Sequence, residues 1–190
     1  MMLSPLNNLH KTGEFGDLDN GETIVNIREI KNINIFQIVK YKNSSKKVSD
    51  LSIDQLNLPS TLNVSSNKET RVLWMGPDNW LVFSVKDIGN ELFNNFNTSD
   101  FAVTDLSHSR AIIELEGQMV KEVIKKGCPI NIEDLKKNQT SNSIFHNITV
   151  TIDIIDTKPY KLRLIVLRSF GESFYHSISD SCLEFGYRSI

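Results

Sequence analysis

Cysteine is scarce in this sequence, with two in 190 residues, Cys128 and Cys182. Two thiols far apart make no disulfide framework, and a reduced, cytoplasmic setting is the expectation that fits them. An excess of one charge is missing too. The 21 basic and 23 acidic side chains leave a formal charge of −2, which gives nucleic acid binding no electrostatic footprint. Long apolar runs are absent: the longest, around residues 162–167, has the length of a strand, far short of the ~20 residues a helix needs to span a bilayer. The opening stretch is polar and broken by glycines, without the basic start and apolar run of an export signal. The expectation is a soluble, cytoplasmic chain with neither nucleic acid nor membrane as a partner.

Glycine is also thin, and its one cluster, Gly13, Gly16 and Gly21, lies in a polar stretch with the wrong spacing for a dinucleotide fingerprint. No glycine-lysine-serine/threonine phosphate loop occurs either. The four histidines, His10, His108, His146 and His176, and the two cysteines have no short ligand spacing, so no metal site is expected. Asp105, Ser107 and His108 lie close together in sequence. Near neighbours on a strand diverge, whereas the members of a nucleophilic triad meet from separated segments, so Asp105 and Ser107 read better as turn formers.

What is present is a globular composition, 39% hydrophobic and 23% charged, in a length that suits one generous domain or two small lobes. Residues 1–22 read as an extended N-terminal arm, and 23–190 as one domain with two related halves, about 23–98 and 99–190. Alternating apolar residues predict strands over 24–30 and 33–41, with Asn32 at the turn. Val48, Leu51 and Leu56 suggest a short helix. The stretch RVLWMGPDNWLVFS, residues 71–84, is a hairpin around a proline-containing turn flanked by Trp74 and Trp80. Ile88, Leu92, Phe93 and Phe96 recur at helical spacing. Strands at 101–106 and 111–115 follow, then a helix through Val120, Val123 and Ile124 that stops at Gly127. The last third predicts strands at 144–155 and 160–167. A final helix would open on a capping box of Ser169 and Glu172 and bury Phe170, Phe174, Ile178, Cys182 and Phe185. Repeated strand-strand-helix units of this kind indicate an α+β fold of mainly antiparallel sheets with helices packed on one side.

Each candidate for chemistry has a plainer reading beside it. Cys128 at a helix end is a reactive thiol or a small core residue, the latter being commoner. Trp74 and Trp80 could stack a planar ligand, or fill a core or an interface. Arg110 and Arg168 could clamp a carboxylate, or serve an ion pair within or between subunits. Phe170 joins them as a core or interface candidate. No catalytic, cofactor-binding or metal-binding residue is singled out.

The stretch TDLSHSRAIIELEG, residues 104–117, followed by a helix and KKGCPINI, residues 125–132, resembles the gamma subunit family of heterotetrameric sarcosine oxidases. Ser4-Pro5-Leu6, GPDNWLVF at 76–83 and VLRSF at 166–170 agree, in order along nearly the whole chain. The first stretch is also similar to the folate-binding domain of aminomethyltransferases. A folate-dependent repair branch of that superfamily carries Lys-Gly-Cys-Tyr-x-Gly-Gln-Glu, whereas here Cys128 is followed by Pro129 and Ile130, so the match to that branch fails.

The resemblance implies a non-catalytic subunit that packs on the alpha subunit of a complex also containing beta and delta subunits. Such a complex demethylates sarcosine oxidatively to glycine, passes a one-carbon unit to tetrahydrofolate and forms hydrogen peroxide. It further implies no cofactor in this chain, with FAD, FMN, NAD and tetrahydrofolate in partner subunits. Two alternatives stay open: a subunit of a related N-methylglutamate dehydrogenase, and a stand-alone folate-binding protein that uses an aromatic face and an arginine. Fold kinship does not by itself confer folate binding.

Overall fold

A computed structural model of the chain describes residues 4–6, 10–18 and 24–190. In chain order the first half contains β1 (Gly13–Phe15), β2 (Val25–Glu29), β3 (Asn34–Lys40), β4 (Ser52–Ile53), β5 (Leu56–Asn57), β6 (Val64–Ser66), β7 (Thr70–Gly76), β8 (Asn79–Ser84) and helix α1 (Gly89–Asn95). The second half contains β9 (Phe101–Asp105), β10 (Arg110–Glu116), α2 (Val120–Lys125), β11 (Thr140–Phe145), β12 (Ile148–Thr157), β13 (Tyr160–Leu167), α3 (Gly171–Cys182) and β14 (Tyr187–Ser189). These elements form two compact units interleaved in sequence. One comprises residues 1–31, 109–137 and 141–190, and the other residues 32–108 and 138–140.

The first unit is built on a seven-stranded sheet in the order β1-β14-β2-β10-β13-β12-β11. Its strands alternate as half-buried strands do: Val25, Ile27, Ala111, Ile113, Leu115, Leu162, Leu164 and Val166 all enter one core cluster. Val120, Val123 and Ile124 of α2 and Phe174, Tyr175, Ile178 and Cys182 of α3 enter the same cluster, so both helices cover one face of the sheet. Burying each large apolar side chain stabilises the fold by about 1.5–3 kcal/mol. Gly171 opens α3 because a Cβ there would come 3.2 Å from the Ala111 Cβ and 3.3 Å from the Pro5 Cβ. After α3 the chain turns at Gly186, whose φ of +73° suits glycine and whose Cβ would lie 2.0 Å from the Asp17 carbonyl oxygen. The turn delivers β14 alongside β2 in the parallel sense, and β1 then adds antiparallel to β14.

The second unit carries a five-stranded antiparallel sheet, β6-β7-β8-β3-β9. Its core joins Phe36, Ile38, Val72, Trp80, Val82 and Phe101 of the sheet to Ile88, Leu92 and Phe96 of the α1 region. The β7-β8 hairpin turns at Pro77-Asp78, where Asp78 has a φ of +55°, and it sets Trp74 directly opposite Trp80.

Several expectations give way. Residues 48–56 do not make a helix: a single 3-10 turn at Val48–Asp50 is followed by the two-residue strands β4 and β5. Asp54 and Gln55 both adopt positive φ between them, which closes a tight hairpin. The run 144–155 is broken by His146 and Asn147, again with positive φ, into the end of β11 and most of β12. The capping box does not form. A 3-10 turn at Arg168–Phe170 leads into α3, whose N-cap is Phe170 with no side-chain hydrogen bond. Phe170 therefore stands one position too early to join the buried stripe and is 47% exposed. Within the arm, Leu6 is fully buried and Gly13–Phe15 pairs with β14, while residues 1–3, 7–9 and 19–22 lie outside the described residues.

Candidate functional site

Three of the sequence stretches singled out above meet at one place in the first unit. Arg110, at the start of β10, stands directly opposite Leu167, at the end of β13. The Arg168 backbone N–H donates to the Ser109 carbonyl at 2.9 Å, which holds the two strand ends together. Ser4 closes the third side: its hydroxyl donates to Glu29 Oε2 at 2.6 Å and also meets Oε1, and it accepts from the Leu6 N–H at 3.0 Å. The Glu29 carboxylate, almost wholly buried, is further balanced by Lys31 at 3.3 Å. The result is a cleft of about 660 Å³ lined by Ser4, Pro5, Ser109, Leu167, Arg168, Ser169, Glu172 and Ser173.

Arg110 is the unusual group beside this cleft. Its Nη1 donates to the Ser109 carbonyl at 3.3 Å and to the Ser109 hydroxyl at 3.1 Å. Among the described residues no carboxylate pairs with it, and burial alone lowers its pKa from the ordinary arginine value. Leu167 and Phe170 bring large apolar side chains to the surface nearby, 45% and 47% exposed.

Further along β10 the charges are matched. Arg28 of β2 and Arg163 of β13 both stand opposite Glu114, and Asp153 of β12 stands opposite Arg163. This puts alternating charges across four adjacent strands. Glu114, 4% exposed, accepts from Arg28 at 2.7 Å and Arg163 at 3.0 Å, with Lys161 at 3.5 Å. Burial pushes the Glu114 carboxyl up, but the hydrogen bond and charge of Arg163 and the charges of Lys161 and Arg28 outweigh it and hold the group below the usual range.

The remaining candidates are dispersed. Trp80 is 3% exposed, and its Nε1–H donates to the Pro59 carbonyl at 3.0 Å. Trp74 is half-buried against the same core. Asp105 accepts from the Ser107 N–H at 2.8 Å, and the Ser107 hydroxyl accepts from the Ile35 N–H at 3.0 Å. These are the turn contacts expected of them, with the second reaching across to β3. Cys128 is buried and donates to the Ser143 hydroxyl at 3.2 Å. Burial pushes the Cys182 thiol up to about 12, so it carries no thiolate at neutral pH. A smaller cavity of about 220 Å³ lies beside the stacked rings of Phe15 and Tyr187, with Tyr175, His176 and Leu183 in its wall. Among the described residues no three histidine, cysteine or acidic side chains gather as a metal site would require, and no helix is long and apolar enough to cross a membrane. The Ser4–Glu29 pair and the charge row through Glu114 went unread in the sequence. Alternation marked these strands, but only the register reveals which charges face one another.

Comparison with known proteins agrees with this architecture. The sarcosine oxidase subunit gamma of Corynebacterium sp. strain U-96 is 28% identical over 120 residues, covering 61% of this chain and 58% of that protein. Its counterpart from strain P-1 is 28% identical over 134 residues, 67% of this chain and 65% of that protein. The aligned stretches thus span under two thirds of the length of these relatives. In three dimensions the chain is similar to a chain of the heterotetrameric sarcosine oxidase from Corynebacterium sp. U-96 in complex with pyrrole 2-carboxylate. The TM-score is 0.83 at 23% identity, over 97% of this chain and 96% of that one. It is also similar to glycine cleavage system aminomethyltransferase T from Bartonella henselae, with a TM-score of 0.61 at 10% identity, over 92% of this chain and 56% of that one. The sarcosine oxidase, gamma subunit family model matches residues 49–184, a region that contains Trp74, Arg110 and the Leu167 to Ser173 side of the cleft. On that match over most of its length, the chain belongs to the sarcosine oxidase gamma subunit family.

Proposed function

We propose that this chain is a non-catalytic subunit of a four-subunit, cytoplasmic oxidase that demethylates sarcosine to glycine, packing directly on the alpha subunit, with beta and delta subunits completing the complex. The observation that carries this reading is the family match over residues 49–184. In it, the one-carbon unit passes to tetrahydrofolate and hydrogen peroxide is formed. The flavins FAD and FMN, NAD and tetrahydrofolate belong to the partner subunits. The local chemistry supports a scaffold: the Ser107 hydroxyl is occupied by a backbone N–H and Cys182 stays protonated. The N-methyl amino acid oxidised is set by the flavin subunit, so an N-methylglutamate dehydrogenase would use this chain in the same way.

The likeness to an aminomethyltransferase favours a second reading, a free folate-binding protein. Trp80 speaks against stacking a pterin there, since its ring is buried and its N–H already has a partner. Tagging the chain in its native cell and recording the absorbance of what copurifies decides between them. Large yellow partners that turn over sarcosine support the subunit. A colourless chain that emerges alone and gives heat with tetrahydrofolate in calorimetry supports the binding protein.

A further inference from the structure

We infer that the cleft beside Arg110 is a docking groove for an extended segment of a larger oxidase subunit, and that Arg110 receives an aspartate or glutamate side chain of that segment, an inference that rests on the subunit reading above. A guanidinium offers five N–H donors, and among the described residues Arg110 spends only Nη1, on the two oxygens of Ser109. Half-buried and without a carboxylate among the described residues, it has lost hydration that the two neutral oxygens of Ser109 offset only in part. Arg28 and Arg163, on the same sheet, both have Glu114. A carboxylate arriving from outside would take two of the idle donors of Arg110 in parallel, the geometry arginine favours.

The surroundings identify the carrier of that carboxylate. Leu167 and Phe170 expose nearly half their surface beside the recess. Apolar and aromatic side chains next to a partly desolvated arginine are the composition of a protein interface. Glu172 also lines the cleft. It repels a small free anion diffusing into that space, whereas a polypeptide can place its acid at Arg110 and turn backbone N–H groups toward Glu172. The hydroxyls of Ser169 and Ser173, which line the same cleft, can bond to the rest of such a segment.

The test co-expresses the tagged full chain with the larger subunits of its own oxidase and measures how much of each is retained. If the wild-type chain retains none, the subunit reading falls and the groove with it. Given wild-type retention, Arg110→Glu and Leu167→Asp should each reduce it about ten-fold or more, Arg110→Lys should reduce it less, and Lys68→Glu, on an exposed loop of the other unit, should leave it unchanged. Retention of every variant at the wild-type level overturns the groove and leaves the subunit reading standing. A photo-cross-linking amino acid at position 170 of the otherwise wild-type chain guards against misfolded variants. It should capture a peptide of a larger subunit that contains an acidic residue, and capture of a second copy of this chain instead overturns the proposal. So does a rise in melting temperature of the isolated wild-type chain with acetate that Arg110→Ala abolishes, because the site would then take free carboxylates.

Discussion

The middle and the start of β10 treat charge in opposite ways. Glu114 has lost nearly all contact with water but is surrounded by Arg28, Lys161 and Arg163, while four positions earlier Arg110 is half-buried and, among the described residues, hydrogen-bonds to Ser109 alone. One group is neutralised within its own sheet, and the other is partly desolvated in advance of any partner. The difference separates a charge matched across four adjacent strands from one that, on the proposal above, is left for a second molecule.

The contrast is broken most decisively at Glu114. Glu114→Ala leaves three cations facing one another over a buried position and should cost about 3 kcal/mol, the low end for an orphaned buried pair because the cations keep some access to water. Urea unfolding measures it, and a loss below about 1 kcal/mol would show that the row does not hold the strands. A double-mutant cycle with Arg163→Met should then return a coupling of about 1–2 kcal/mol, since these two share the hydrogen bond at 3.0 Å. Independent, additive losses would argue against a specific pair.

Acid sharpens the same contrast. The folded-state pKa of Glu114 lies below its ordinary 4.5, so its stabilisation is complete above that value and is lost as pH falls through the folded pKa. Glu114→Gln should therefore flatten the wild-type decline in melting temperature below about pH 4.5. Identical acid limbs for the two proteins would remove Glu114 from the account. The smallest effect belongs to Arg110→Ala in the isolated chain, about 0.5 kcal/mol or less. A loss matching that of Glu114→Ala would make Arg110 a fold-holding residue and erase the comparison.

Local pattern made part of this visible in sequence. The β7-β8 hairpin, β9, β10 and α2 follow from alternation, a proline turn and a glycine stop, all of them properties of neighbouring residues. Strands such as β1 and β14 are three residues long and form because residues far apart in the chain meet, Gly13 with Ser189 and Tyr187 with Val25, pairings no local window contains. The hairpins at Asp54-Gln55 and His146-Asn147 turn without glycine at positive φ, so apolar residues on either side merged into a false helix and a false single strand. At the site, the sequence marks Arg110 and Arg168 as carboxylate clamps or as ion-pair residues within or between subunits. That Arg110 has no acid among the described residues while Arg163 has one is a matter of register, set by strands far apart in the chain.

The order of strands also dictates when each sheet can exist. Every strand of the five-stranded sheet has been made once residue 105 is synthesised, whereas the seven-stranded sheet needs β14, and β1 has β14 as its strand neighbour. At a synthesis rate of roughly 5–20 residues per second, β2 gains β10 soon after the smaller sheet has all its strands, whereas β1 must wait roughly 4–17 s for β14. Until α3 has been made, the apolar face it later covers is bare, which makes a nascent chain, rather than the finished protein, the form most in need of a chaperone.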